Sequence, residues 1–220
     1  MPGYDAVLLD LYDTLVWSDW RSWQRRVAER VGVTPETMAA AFDETRPARS
    51  VGAFPDATVE LAATVRAAGV DPDPALVAEI AANEPAWLLD DIRPYDDSMA
   101  VVAGLRARGV PTALISNCSH NTRPVVERLG LEEAFDAVVL SFEVGSLKPE
   151  PAIYREALAR LGSPDPARSV FVDDQVAFCD GAAGIGLQTF LILRPEEALE
   201  GWPASTNGHR VIETLEPLLG

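Results

Sequence analysis

Several things are scarce in this chain of 220 residues. Two cysteines, Cys118 and Cys179, are too few for a disulfide framework, and with only 2 histidines they leave no Cys/His set for a structural zinc site. No apolar run approaches the length that crosses a bilayer. The N-terminus passes almost at once into a strand-like segment rather than a basic and then apolar leader. Reduced thiols and a cytoplasmic location are the corresponding expectations. Positive charge is scarce as well: 18 Lys and Arg stand against 34 Asp and Glu, a formal charge of −16. Nucleic acid and anionic membranes are held through clustered cations, so this balance argues against both as partners. A small anionic substrate would need a local positive group to enter such a field. Oligomeric state leaves no trace in the sequence.

Apolar residues, by contrast, make up 48% of the chain, enough for a sizeable core. Ala6-Val7-Leu8-Leu9 runs into Asp10-Leu11-Tyr12-Asp13-Thr14, Thr112-Ala113-Leu114-Ile115 into Ser116-Asn117, and Ser169-Val170-Phe171-Val172 into Asp173-Asp174; between the last two lies the turn Gly145-Ser146-Leu147-Lys148-Pro149. Helical spacing occupies roughly Trp20 to Val31, Pro35 to Phe42, Asp56 to Ala68 and Pro74 to Ala82, with Pro at the first helical position after Thr34 and Asp73. From Ser98 onward helices and strands alternate. Gly109, Gly130, Gly162 and Gly184 stand where helix ends need a left-handed residue, and a short strand over Arg210 to Ile212 closes the series. Alternation of this kind predicts an α/β fold, a doubly wound parallel sheet covered on both faces. In such sheets ligands sit beyond the carboxyl ends of the strands, which is where Asp10, Ser116 and Asp173 fall.

Taken in order, the four turns resemble the motif set of the haloacid dehalogenase (HAD) superfamily, and the resemblance covers essentially the whole chain. It implies a Rossmann-like core over 1–15 and 91–220 with a helical cap of the C1 type inserted over 16–90. It also implies hydrolysis through an aspartyl intermediate on Asp10. Thr14 is then expected to hydrogen-bond within the turn that carries Asp10. Ser116 and Asn117 match the second motif, whose hydroxyl binds the transferred group, and Lys148 matches the cation that offsets the nucleophile's charge. Three carboxylates at one sheet edge repel by about 4 kcal/mol per pair at 4 Å with an effective dielectric near 20. A divalent cation relieves that conflict, and hard oxygen ligands favour Mg²⁺, held by Asp10, Asp173, Asp174 and the backbone carbonyl of Tyr12.

Tyr12 departs from the phosphatase pattern, which places at this position an Asp that protonates the leaving oxygen. Tyr here is the pattern of the metal-independent 2-haloacid dehalogenases, whereas the adjacent acids Asp173 and Asp174 are not. A Mg²⁺-dependent small-molecule phosphatase is the favoured expectation. A 2-haloacid dehalogenase is the first alternative, and a HAD-fold binding or regulatory protein that has lost turnover is the second. Arg46 and Arg49, read as lying in a break between cap helices, and His120, just after the second motif, are the candidate substrate contacts.

Overall fold

Strand β1 (Ala6–Leu9) is buried at all four positions, because it runs through the middle of a sheet with helices on both faces. The computed structural model describes residues 3–194 and 203–220. Around β1 stand β4 (Thr112–Ser116), β5 (Ala137–Leu140), β6 (Ser169–Asp173), β7 (Gln188–Ile192) and β8 (Arg210–Ile212), in the spatial order β5-β4-β1-β6-β7-β8. Every neighbouring pair in this sheet is parallel.

The two-residue period of the strands divides the core. Val7, Leu9, Leu114, Val170 and Val172 face one side and pack with α5 (Ser98–Ala107) and the C-terminal Leu215 and Leu218. Ala6, Leu8, Ala113, Ile115 and Phe171 face the other and meet Ile153, Tyr154 and Ala157 of α9 (Pro151–Arg160) and Ala182 of α10 (Val176–Ala183). Helix α10 begins four residues before the point expected from sequence, at Val176 rather than Asp180, and Gly184 at its end is right-handed at φ −60°, the left-handed turn falling instead at Gly186 with φ 96°. Because β4 and β6 flank β1 on opposite sides, the chain reverses its direction of progress across the sheet there. The resulting crevice opens at the carboxyl end of β1.

A two-stranded antiparallel ribbon of β2 (Val16–Ser18) and β3 (Ile92–Pro94) brackets four helices: α1 (Trp20–Val31), α2 (Pro35–Ser50), α3 (Ala57–Ala67) and α4 (Pro74–Asp90). Side chains of Asp19, Thr34, Asp56 and Asp73 accept hydrogen bonds from the amides of Ser22, Thr37, Val59 and Ala75, satisfying orphan donors at the four helix starts. Trp23, Val27, Met38, Phe42, Leu61, Val77 and Ile80 form a separate apolar cluster, which Val125 of α6 (Arg123–Arg128) joins from the sheet side.

Two of these helices outrun their sequence signals. Helix α2 was expected to stop at Phe42 but continues through Pro47 to Ser50; α4 was expected to stop at Ala82 but continues through Pro85 to Asp90. An internal proline removes one helical donor; the hydrogen bonds of Arg49 to the Phe42 carbonyl, Thr45 and Ser119 in α2, and the burial of Leu88 in α4, offset that loss. Where α2 ends, Gly52 lies against α8 (Ser141–Val144): a Cβ there would stand 2.0 Å from the Phe142 carbonyl oxygen.

Candidate active site

The parallel register brings three strand ends together. Asp10 follows β1 and is fastened by its amide to the carbonyl of Val172 at 3.0 Å, so its carboxylate emerges beside that of Asp173 at the end of β6. The chain then folds back: the amides of Leu15 and Val16 both bond the Leu11 carbonyl, and Asp13 takes the left-handed conformation at φ 61° with its amide on the Val16 carbonyl. A non-glycine residue in that region is strained, so the turn must be held by its surroundings.

Lys148 lies at the centre. It is 1% exposed, and its Nζ is 2.5 Å from Asp10 Oδ1 and 2.6 Å from Asp173 Oδ2. The rings of Phe178 and Phe171 flank the ammonium at 4.9 and 5.6 Å. Asn117 fixes the Lys148 backbone from both sides, its Nδ2 donating to the Lys148 carbonyl at 2.9 Å and its Oδ1 accepting from the amide at 2.8 Å. Asn117 is therefore a positioning residue for Lys148. Lys148 is also the only lysine among the 18 basic residues, a compositional signal that singles it out.

Asp10, Asp173 and the half-buried Asp174 offer oxygens within 4.8 Å of one another. Burial pushes Asp10 up to about 7, with Asp173 adding to the shift and Lys148 opposing it. Burial and the two neighbouring carboxylates also hold Asp174 well above the usual carboxylate range. Burial alone would lower the Lys148 ammonium, but Asp10 and Asp173 outweigh it and hold the group above its ordinary value. One ammonium facing three carboxylates leaves an excess of negative charge that protons or a further cation must offset. Such a hard-oxygen donor set, short of two positive charges when all three acids are ionised, fits Mg²⁺.

The remaining predicted residues divide. Ser116, at the end of β4, has a buried hydroxyl with no hydrogen-bond partner among the described residues, a donor left for a bound group. The Tyr12 hydroxyl is 3.1 Å from Thr122 Oγ1, and burial holds it above its ordinary range. Thr14 corrects an expectation: its hydroxyl is buried and makes no hydrogen bond in the turn, while its carbonyl does the bonding instead. Arg46 and Arg49 lie within helix α2 rather than in a break. Arg46 is exposed and paired with Asp43, whereas Arg49 is buried, donating to the Phe42 carbonyl, Thr45 Oγ1 and Ser119 Oγ and standing 3.8 Å from Glu60. His120 meets Glu60 Oε2 through Nδ1 at 2.9 Å and packs on Phe142. All three candidate contacts are thus occupied by protein groups. Glu60 and Glu84 of this junction were not singled out in the sequence, where each reads as one more helical acid. Both cysteines are buried and free.

The comparisons with known proteins agree with this architecture. A haloacid dehalogenase-like hydrolase family model matches residues 4–186. The chain belongs to that family. As a haloacid dehalogenase-like hydrolase, it is 35% identical over 118 residues to mouse "Haloacid dehalogenase-like hydrolase domain-containing protein 3", covering 53% of this chain and 46% of that protein. It is 33% identical over 132 residues to the "Glyceraldehyde 3-phosphate phosphatase" of Methanopyrus kandleri, covering 59% and 56%. It is 32% identical over 111 residues to "(S)-2-haloacid dehalogenase 2" of a Pseudomonas species, covering 50% and 48%. The matches span about half the length of these relatives. Among solved structures, a HAD phosphatase from Thermococcus onnurineus superposes with a TM-score of 0.68 at 21% identity, covering 97% of this chain and 95% of that one. L-2-haloacid dehalogenase from Xanthobacter autotrophicus gives 0.66 at 22%, covering 99% and 97%. At these identities the structures share the fold, and the same fold hosts both reactions.

Proposed function

We propose that this hydrolase is a Mg²⁺-dependent phosphomonoesterase acting on a small anionic substrate, with residues 16–90 as its cap. The observation that carries the reading is the Asp10, Asp173 and Asp174 cluster, in which burial first, and the neighbouring carboxylates after it, raise the proton affinities of Asp10 and Asp174. Asp10, Asp173, Asp174 and the Tyr12 carbonyl would hold the ion, which supplies neutralisation of the phosphoryl oxygens.

In this reading Lys148 holds Asp10 Oδ1, so the other carboxylate oxygen is the nucleophile. It forms a bond to phosphorus as the bond from phosphorus to the leaving oxygen breaks and that oxygen takes the electron pair. Water then attacks the aspartyl phosphate, releasing phosphate and restoring the carboxylate. The Ser116 hydroxyl binds a phosphoryl oxygen. Tyr12 is a poor proton donor, bound to Thr122 and held above its ordinary range. The enzyme accordingly favours substrates whose leaving oxygen departs without help, such as aryl or acyl phosphates.

Purified protein with Mg²⁺ is expected to hydrolyse p-nitrophenyl phosphate, and Asp10→Asn to abolish this. Absence of turnover, together with chloride release from 2-chloropropionate in EDTA, would favour the second reading, a haloacid dehalogenase. That reading is supported by Tyr12 and by the Pseudomonas relative.

A further inference from the structure

The turn that carries Asp10 and Tyr12 is gripped from behind by a residue outside all four motifs. Arg194 stands two residues beyond β7, 4% exposed, and reaches under the turn. Its Nη2 donates to the Thr14 carbonyl at 2.6 Å and its Nε to the same oxygen at 3.2 Å. Its Nη1 lies 3.0 Å from Asp97 Oδ2 and 3.4 Å from the Glu213 carbonyl, and the guanidinium stacks on Tyr95 at 4.1 Å. Asp97 is fixed in turn, accepting the Leu215 amide at 2.5 Å. On the next residue of the turn, the Leu15 carbonyl accepts from Ser98 Oγ at 2.8 Å and from the Tyr95 amide at 3.0 Å.

Two consecutive carbonyls are thus drawn to the same side, one by a forked, charged donor. That pull acts on a turn whose Asp13 is in the left-handed region and whose Thr14 hydroxyl has no partner among the described residues. A guanidinium contributes two directed bonds to one oxygen where an ammonium contributes one, so the identity of this residue matters beyond its charge. We infer that Arg194, backed by Asp97, is a positioning residue that sets the orientation of Asp10 through the Thr14 carbonyl. It ties the nucleophile turn to the end of the sheet and to the start of α5.

The kinetic consequence rests on the phosphatase reading; the structural one does not. Arg194→Met and Arg194→Lys are to be compared with the natural protein in two measurements: steady-state hydrolysis of p-nitrophenyl phosphate at saturating Mg²⁺, and amide hydrogen exchange over residues 10–18 with α9 as reference. Arg194→Met is expected to lower kcat about 100-fold, the cost of misplacing a reacting group by about 1 Å, with KM unchanged. Arg194→Lys is expected to recover part of that loss. Exchange at Leu15 and Val16 rises about tenfold while α9 stays protected. Unchanged kcat, unchanged exchange in the turn, or exchange raised equally in α9 would each overturn the inference. Should Arg194→Met not fold, Arg194→Lys decides by the same criteria. Should the natural protein turn over no phosphate ester, the phosphatase reading fails and the exchange comparison alone decides the role of Arg194.

Discussion

Two buried ionic clusters lie on either side of the β4 tip, and they are built to opposite plans. At the strand ends, Lys148 is shared by Asp10 and Asp173 with Asp174 alongside, a group that keeps unspent negative charge and a Ser116 hydroxyl without a partner among the described residues. At the junction of the helical insertion, Glu60 meets both Arg49 and His120, Arg49 donates to the Ser119 hydroxyl, and the buried Glu84 lies in the field of Glu60 and Arg49. There the guanidinium is spread over several acceptors, and Glu84 is pushed up to about 8, first by burial and then by Glu60, which favours its protonated form. One cluster keeps charge in excess of its own partners; the other spreads its charges over neighbouring protein groups. The difference separates a site of chemistry from a fastening, although both consist of buried Asp, Glu and basic side chains.

The sharpest way to break this contrast is at Lys148. Lys148→Met removes the shared cation and leaves Asp10 and Asp173 facing each other, so it should eliminate turnover and cost about 3–5 kcal/mol of stability. Thermal melting with and without Mg²⁺ measures this, and a larger rise in Tm with Mg²⁺ in the variant than in the natural protein is expected. Next in size, Tyr12→Asp should raise the hydrolysis of unactivated alkyl phosphates by about 10²–10⁴-fold while altering aryl phosphate turnover far less. An unchanged ratio between the two substrates would count against the role given to Tyr12.

Proton linkage distinguishes the clusters in a third way. Mg²⁺ must displace protons from the raised carboxylates, so its affinity should climb as pH rises through about 7, the value for Asp10. Titration calorimetry in two buffers of different ionisation enthalpy would register the protons released. Glu84 is shifted in the same direction, but its linkage is read in stability rather than in metal affinity. Its folded value of about 8 lies above the 4.5 of a free Glu, so the folded state binds the extra proton between those limits and stability falls as pH rises through them. Glu84→Gln should remove that slope and gain about 1–3 kcal/mol at pH 8, read as a denaturant midpoint. The smallest effect belongs to Arg46→Ala, which removes an exposed pair and should change both Tm and turnover negligibly.

Much of the core was legible because strands buried on both faces are written as unbroken apolar runs, and the residue ending each run necessarily falls at the sheet's carboxyl edge. Asp10, Ser116 and Asp173 were therefore locatable before any tertiary information. Lys148 is marked by its motif turn and, independently, by being the only lysine among the basic residues. The misplacement of Arg46 and Arg49 has a specific cause: Pro47 reads locally as a helix break, and the tertiary burial that carries α2 across it has no local signature. Contacts between remote segments were equally silent. Glu60 meets His120 across 60 positions and Arg194 meets Thr14 across 180, and in both cases the sequence shows only an ordinary charged residue.

The solitary lysine has a practical consequence. Apart from the N-terminus, Lys148 Nζ is the one primary amine in the protein, and folding buries it beneath two carboxylates and two aromatic rings. An acylating reagent applied to the intact chain therefore reads a single question, whether the floor of the active site has come open, and the yield of internal label gives the fraction of molecules in which it has.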